Sequence, residues 1–388
     1  MKNNYRAINY IDKFSCLADK CPDTCCAGWA IEIDENSLEK YNNVRSDYSH
    51  VLRERIDADE CVFRQKENGD CSFLCENKLC DMYIALGEDS LCDTCRLYPR
   101  HIEEFEDAYE MNLSVSCPEA ARILLEQDGP IAMLDTGKYE VASNSEDEEA
   151  GDKKADNKKT ENEENDEIFN SELYDLLIET RESLIEIVRN RSVSYSVRAA
   201  QIVKAASKLQ DRLDSLDVIE TDADSLNEES EDLFYLIKDA FDCLKELEYL
   251  KDSREAQLNK AENILYSEGY EYWRKLHVEF EKYCAENELK LEVKKEQITA
   301  YYLYSYFCGA VYDDYVFAKA FGAVMHTALI NELWIVKWIQ NNKRICNEDM
   351  VTVLYEYARE LENSNPNLIH MDEMMDDLKI DADMIFIH

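Results

Sequence analysis

Glycine and proline are scarce in this 388-residue chain, nine and five in all, and the shortage is uneven. Residues 168–388 hold only Gly269, Gly309, Gly322 and Pro366, too little punctuation for a many-stranded sheet, so helices are the expectation there. Histidine is sparse too: the N-terminal third has only His50 and His101, which disfavours a mixed cysteine–histidine zinc finger. Basic charge is heavily outnumbered, with 43 Lys and Arg against 84 Asp and Glu and a net charge of −41. That balance argues against nucleic-acid binding through phosphate neutralisation. It suits a basic or lysine-bearing protein partner, or serves solubility alone. Between Met1 and Phe14, Lys2, Arg6, Asp12 and Lys13 leave no apolar run resembling a secretion signal, so a cytoplasmic setting is expected. The most apolar stretch, Val316 to Ile339, is interrupted by Lys319, His326, Glu332 and Lys337. It reads as a buried helix or helix pair and not as a membrane span.

A compositional break divides the chain. From Ser143 to Glu167 there is no aromatic residue and no Leu, Ile or Val, while eleven Asp and Glu outnumber four lysines. Such a segment buries too little apolar surface to offset the entropy of ordering it. The expected organisation is a cysteine-rich region at 1–138, an acidic disordered linker at 139–167 and an all-α helical bundle at 168–388, a mainly α fold overall. Leu233, Ile237, Ala240, Leu244 and Leu247 recur at helical spacing, as do Val203, Ala206, Leu209 and Leu213, and Val351, Leu354, Ala358 and Leu361. The first region has a different texture, broken by Pro22, Gly28, Gly69, Gly87, Pro99 and Pro118. A short helix opening near Asp34 is expected there, with a strand pair joining Ile31–Ile33 to Cys71–Phe73.

Eleven of the fifteen cysteines precede Pro118. They fall in blocks: Cys16-x4-Cys21-Pro22-x2-Cys25-Cys26, then Cys71-x3-Cys75-x4-Cys80, then Cys92-x2-Cys95, then Cys117-Pro118, with Cys61 apart. In a reducing compartment such density points to metal before disulfides. Four thiolates close one tetrahedral zinc, at about 2.3 Å per bond, or one iron–sulfur cubane. Eleven thiols therefore mean two sites, or one site with surplus buried cysteines, and one site is the expectation. The candidate ligands are Cys21, Cys25, Cys26, Cys80, Cys92, Cys95 and Cys117, ahead of Cys16 and Cys71. Cys61 and Cys75 are expected bystanders. The widely spaced Cys243, Cys284, Cys308 and Cys346 read as buried core residues, as does His326.

Five of these stretches, in order, resemble the flagellin lysine N-methylase family, part of a wider group of zinc- or iron-chelating proteins with cysteine clusters. They are Asp19 to Asp34, Cys71 to Leu74, Leu79-Cys80, Leu91 to Arg100 and Leu113 to Ala120. The resemblance covers roughly the first third of the chain; the helical remainder is compatible in texture. It implies a protein-lysine N-methyltransferase that uses S-adenosylmethionine, an iron–sulfur cluster, expected to be 4Fe–4S with zinc as the alternative, and flagellin as the substrate. No nucleic-acid or membrane partner is expected.

The residues also set limits. No Gly-rich loop follows a strand as in a Rossmann-like methyltransferase. Nor is there a C-x3-C-x2-C run, because Gly28 stands where a third cysteine after Cys21 and Cys25 would be needed. Arg96 and Arg100, close to the C-x-x-C pair, are candidates to bind the donor's carboxylate, or equally to form a structural salt bridge or hydrogen-bond a cluster sulfur. Asp93, Tyr98 and His101 are near enough in sequence to deprotonate a lysine. Trp29, Tyr98 and Pro99 are expected to pack over the metal site. The competing reading is a non-enzymatic interaction module stabilised by zinc or iron.

Overall fold

The computed structural model describes residues 4–106, 108–136, 169–214, 230–250 and 253–386. The expected acidic linker at 139–167 lies outside the described residues. Among those described, six strands and fifteen α-helices follow one another. The first third comprises β1 (Asn4–Ile8), α1 (Glu35–Asn43), α2 (Ser49–Arg55), β2 (Ile56–Asp57), β3 (Val62–Phe63), α3 (Asp81–Leu86), α4 (Asp93–Leu97), β4 (Arg100–Phe105), β5 (Ala108–Leu113), α5 (Pro118–Leu125) and β6 (Met133–Asp135). The helical remainder comprises α6 (Ser171–Val188), α7 (Tyr195–Leu213), α8 (Glu231–Cys243), α9 (Arg254–Tyr266), α10 (Tyr270–Glu286), α11 (Leu291–Tyr306), α12 (Val316–Gln340), α13 (Asn347–Glu362), α14 (Asn365–Asp377) and α15 (Lys379–Phe386). The fold is mainly α, as its composition leads one to expect.

A four-stranded sheet in the order β4-β5-β1-β6 frames the cysteine region. β1 runs parallel to β5, with Asn4 opposite Ala108 and Ala7 opposite Met111, and antiparallel to β6. Parallel neighbours need a long crossover. Here the connection holds ten of the eleven early cysteines, and the eleventh, Cys117, follows β5 directly. The expected strand pair takes a different form. Ile31–Ile33 lies along β3, through Phe63 N–H to Ile31 O at 3.0 Å and Ile33 N–H to Cys61 O at 2.8 Å. Cys71 instead donates its N–H to Cys26 O at 2.7 Å. The β2–β3 hairpin turns the chain back before Cys71 arrives, and so takes up the edge that Ile31–Ile33 needs.

Two apolar cores result. Ile31, Ile33, Tyr41, Leu52, Ile56, Phe63, Phe73 and Met82 form a small one beneath the cysteine loops. The larger joins Ile8, Leu113, Val115, Ala120 and Leu124 of the sheet and α5 to α6–α15, so it crosses the compositional break. Glu110 of β5, 3% exposed, is held by Arg6 at 2.9 Å and by Arg181 of α6 at 2.7 Å. A buried carboxylate of this kind is tolerated because both oxygens meet guanidinium donors.

The stretch Val316 to Ile339 is a single helix, α12, buried on most of its faces by α7, α11, α13 and α14. Its polar residues have partners: Lys319 meets Asp313 at 2.8 Å and Asp372 at 2.7 Å, and His326 Nδ1 meets Tyr357 Oη at 2.7 Å. No described helix is long and apolar enough to cross a membrane. Cys243, Cys284 and Cys308 are buried as expected, whereas Cys346 is exposed. It is the N-cap of α13, placed by its 3.2 Å contact to Asp349 rather than by packing.

Candidate metal and substrate cleft

The cysteine loops enclose a cleft of about 640 Å³ between the sheet, α3, α4, α5 and α13. Of the seven candidate ligands, Cys21, Cys25, Cys26, Cys80, Cys95 and Cys117 line it, and so does Cys16. Cys92 is fully buried behind Cys95, its Sγ directed at Glu32 O at 3.6 Å. Cys71 lies buried beside Cys26, Cys80 and Cys92. Cys61 and Cys75 do not line the cleft.

Local structure explains the convergence. Gly28 adopts φ +86°, a left-handed turn that side-chain-bearing residues avoid. The turn lets its N–H reach Gly69 O at 3.0 Å and pins the Cys25–Cys26 corner against the Cys71 loop. Trp29 Nε1 donates to Cys25 O at 2.8 Å, and the Trp29 ring sits 6.2 Å from that of Tyr98 at the cleft wall. Cys80, Cys92 and Cys117 are the N-caps of α3, α4 and α5. None makes a capping hydrogen bond, but the first-turn N–H groups near each thiol favour its thiolate, against the burial that raises Cys80 and Cys117. The Asp34 carboxylate ties two of these elements together, accepting Ser37 N–H at 2.9 Å to cap α1 and Asp93 N–H at 2.9 Å at the start of α4.

The electrostatics are those of a thiol cluster sharing protons. A hydrogen bond from Cys25 favours the Cys26 thiolate, and the same bond holds Cys25 as a thiol well above its usual range. Cys92 and Cys95 form a second such pair, with Cys92 lowered and Cys95 raised. Burial pushes Cys71 up to about 12 and Cys117 up to about 11. Protons shared between paired thiols are those a thiophilic metal displaces. In donor chemistry the set fits such a metal. As the side chains stand, no three Cys, His, Asp or Glu among the described residues form a group close enough to hold one.

Arg96 and Arg100 both line the cleft. Arg96 pairs with Asp93 at 2.7 Å, and Arg100 lies over the Phe14 ring at 5.5 Å. Tyr98 reaches Ser116 Oγ at 3.0 Å, and burial pushes its phenol well above its usual range. Pro99 lines the cleft beside it. His101 does not line the cleft: it meets Glu103 at 2.6 Å, and although burial lowers its pKa, that carboxylate holds it above the ordinary value.

Sequence spacing does not reveal Arg359. It comes from α13 and, among the described residues, is the only one lining the cleft from beyond the acidic segment. Its Nη1 meets Asp23 Oδ2 at 2.8 Å, its Nη2 donates to Asp23 O at 2.8 Å and its Nε donates to Ser116 O at 2.9 Å. One guanidinium thus fastens the Cys21–Cys25 loop to the Cys117 turn. One turn further on, Glu362 accepts from Tyr301 Oη at 2.9 Å and from Ser116 N–H at 3.3 Å. An arginine at this place in a helix carries no motif, and its only sequence signal is its position on the face opposite Leu354 and Leu361.

Residues 181–387, more than half the chain, match the family model described as the FliB lysine N-methylase C-terminal domain. Over 132 residues, 31% of the chain, the sequence is 29% identical to the lysine-N-methylase of Salmonella typhimurium (strain LT2), covering 32% of that protein. The same extent and identity hold for the flagellar biosynthetic protein FliU of Salmonella muenchen, of which 76% is covered. The chain therefore spans about a third of the curated lysine-N-methylase it matches. No solved structure matches.

Proposed function

The chain belongs to the FliB lysine N-methylase family, and from that premise we propose that it methylates lysine ε-amines of a flagellar protein, flagellin, with S-adenosylmethionine as donor. The observation that carries the reading is the gathering of six candidate thiols and three arginines, Arg96, Arg100 and Arg359, around one cleft. A cleft of about 640 Å³ lies within the range of small-molecule sites. The expected setting is the reducing cytoplasm.

The residues that would hold an iron–sulfur cluster, or zinc in its place, are drawn from Cys21, Cys25, Cys26, Cys80, Cys92, Cys95 and Cys117, with the thiols turning inward on binding. Bound there, a cluster with an open iron would supply a seat for the amino and carboxylate groups of the donor. Arg96 and Arg100 line the same cleft and would pair with that carboxylate, Arg96 by leaving Asp93. Arg359 adds a fixed positive charge beside Asp23 and Cys25, favouring thiolates in the cleft.

A lysine must lose its proton before it attacks a methyl group. Of the three residues suggested by sequence, Tyr98 is held as a neutral phenol, Asp93 is engaged by Arg96 and His101 is off the cleft. Glu88 lines the cleft, is exposed and makes no ion pair among the described residues, so it is assigned the role of proton acceptor. Tyr83 and Ile84, exposed by 46% and 58% on the same wall, offer apolar contact to the aliphatic stem of the lysine. The test is to incubate metal-replete protein with purified flagellin and the donor, and to look by mass spectrometry for one-methyl increments on lysine. Increments that require both the donor and the metal support the reading. Their absence favours a metal-stabilised interaction module.

A further inference from the structure

The helical half contains a second cavity, of about 270 Å³, between α7, α8, α10, α11, α12 and the end of α15, and it shares no lining residue with the cysteine cleft. Much of its wall is apolar, including Leu233, Trp273 and Met325. Glu332, whose side chain is 1% exposed, also lines it. Glu332 Oε1 accepts from Trp273 Nε1 at 3.1 Å and meets His277 Nε2 at 2.8 Å. Glu332 Oε2 and the neighbouring Asn331 Oδ1 are buried with no hydrogen-bond partner among the described residues.

Buried polar atoms are almost always satisfied, so the unmet atoms on this cavity wall, Glu332 Oε2, Asn331 Oδ1 and His277 Nε2, require an explanation. Two are acceptors, and one of these belongs to a carboxylate. The group that answers them carries several donors and positive charge, while the walls demand an apolar body. An ammonium on an alkyl stem has three donors, no acceptor and such a body. The Trp273 ring adds an aromatic surface of the kind that attracts cations. Lys295 also lines the cavity and lies 3.7 Å from Glu281, and Arg198 is 3.1 Å from Glu296 and 3.2 Å from Glu292, so the cavity's other carboxylates, Glu281 and Glu292, already have cations beside them, whereas Glu332 meets no Lys or Arg among the described residues. The volume is just below the roughly 300–1,000 Å³ usual for small-molecule sites, which suits one amino-acid side chain or a short amine.

We propose that this cavity binds a primary alkylammonium group, at a site separate from the cysteine cleft. The group has two chemical sources, a lysine side chain of a protein or a free short-chain amine.

The experiment is isothermal titration calorimetry on the full chain with n-butylammonium, with n-butanol as the neutral counterpart, and with a lysine peptide beside its norleucine analogue. Saturable amine binding at least about tenfold tighter than alcohol binding is expected, the scale of one charge-assisted contact. Glu332→Gln should weaken it by about the same factor. Ala328→Leu, which fills the cavity and leaves the carboxylate in place, should abolish it and keeps the test decisive if Glu332→Gln does not fold. Preference for the lysine peptide over norleucine assigns the site to a protein side chain, and binding of the free amine alone assigns it to a small amine. Equal binding of amine and alcohol, no saturable binding by folded protein, or binding unchanged in Ala328→Leu overturns the proposal.

Discussion

Arg359 and Asp23 meet at 2.8 Å across 336 residues of chain, joining the last third of the molecule to its first cysteine loop. Arg359 is 7% exposed in its side chain and Asp23 21%, so the pair is largely out of water. Removing one partner of a buried pair leaves the other charge uncompensated, at a cost of about 3 kcal/mol. Arg359→Ala should therefore lower the urea midpoint and reduce bound metal together. Arg359→Lys should restore only part of both, because an ammonium cannot reproduce the three-point contact to Asp23 and Ser116. A midpoint and metal content unchanged in Arg359→Ala would contradict the bridging role.

Asp34 is a second tie, between α1 and α4. By capping α1 and accepting Asp93 N–H it fixes the start of the helix that carries Cys95. Asp34→Ala should cost about 1–2 kcal/mol, the upper range for loss of an N-cap. The thermal midpoint and the metal-to-protein ratio measure the two consequences. Loss of stability with metal content intact would confine Asp34 to capping.

The pH dependence of stability should carry the mark of Glu362. Burial raises its pKa above the ordinary carboxylate value, against hydrogen bonds from Ser114 and Tyr301 that favour the anion. The folded protein thus holds this proton more tightly than the unfolded chain does. Its contribution is full below the ordinary glutamate value of about 4.3 and is lost as pH rises through the raised folded value. Relative to wild type, Glu362→Gln should gain stability as pH climbs across that window, read from urea midpoints at a series of pH values. Parallel profiles for the two proteins would remove Glu362 from the titration.

Substitution of each early cysteine by serine should sort the thiols. Cys25→Ser, Cys26→Ser, Cys80→Ser, Cys95→Ser and Cys117→Ser remove donors from the cleft wall, whereas Cys61→Ser and Cys75→Ser do not touch it. Iron and zinc quantification after anaerobic purification should show metal falling by half or more in the first group and unchanged in the second. Equal loss in both groups would mean that the metal sits elsewhere.

The helical half was legible because its signals are local. The apolar spacing of Val203, Ala206 and Leu209 and of Val351, Leu354 and Ala358 predicts α7 and α13, and the near-absence of glycine predicts long helices. Asp34 before a polar helix start was equally readable, since capping is decided by the side chain itself. What escaped depends on distant pairing. The parallel β1–β5 contact joins Tyr5 to Tyr109 across the whole cysteine region, and no local pattern announces it. Arg359 escaped for the same reason, because its partners Asp23 and Ser116 become neighbours only after the bundle docks on the sheet. The cysteine spacing singled out seven leading thiols, and six of them line one cleft. It could not tell Cys92 from Cys95, because which thiol of a C-x-x-C pair faces the cleft depends on how α4 is turned. Cys346 misled, since a cysteine among helical residues is equally able to cap a helix or to pack inside one.

The most direct test of lysine methyl transfer at the cysteine cleft compares three proteins on one substrate. Wild type, Cys25→Ser and Cys61→Ser, each purified anaerobically, are incubated with flagellin and S-adenosylmethionine, and lysine methylation is counted by mass spectrometry. One-methyl increments from wild type and Cys61→Ser, with loss in Cys25→Ser, are the predicted result. Methylation undiminished in Cys25→Ser, or none from metal-replete wild type, would contradict it.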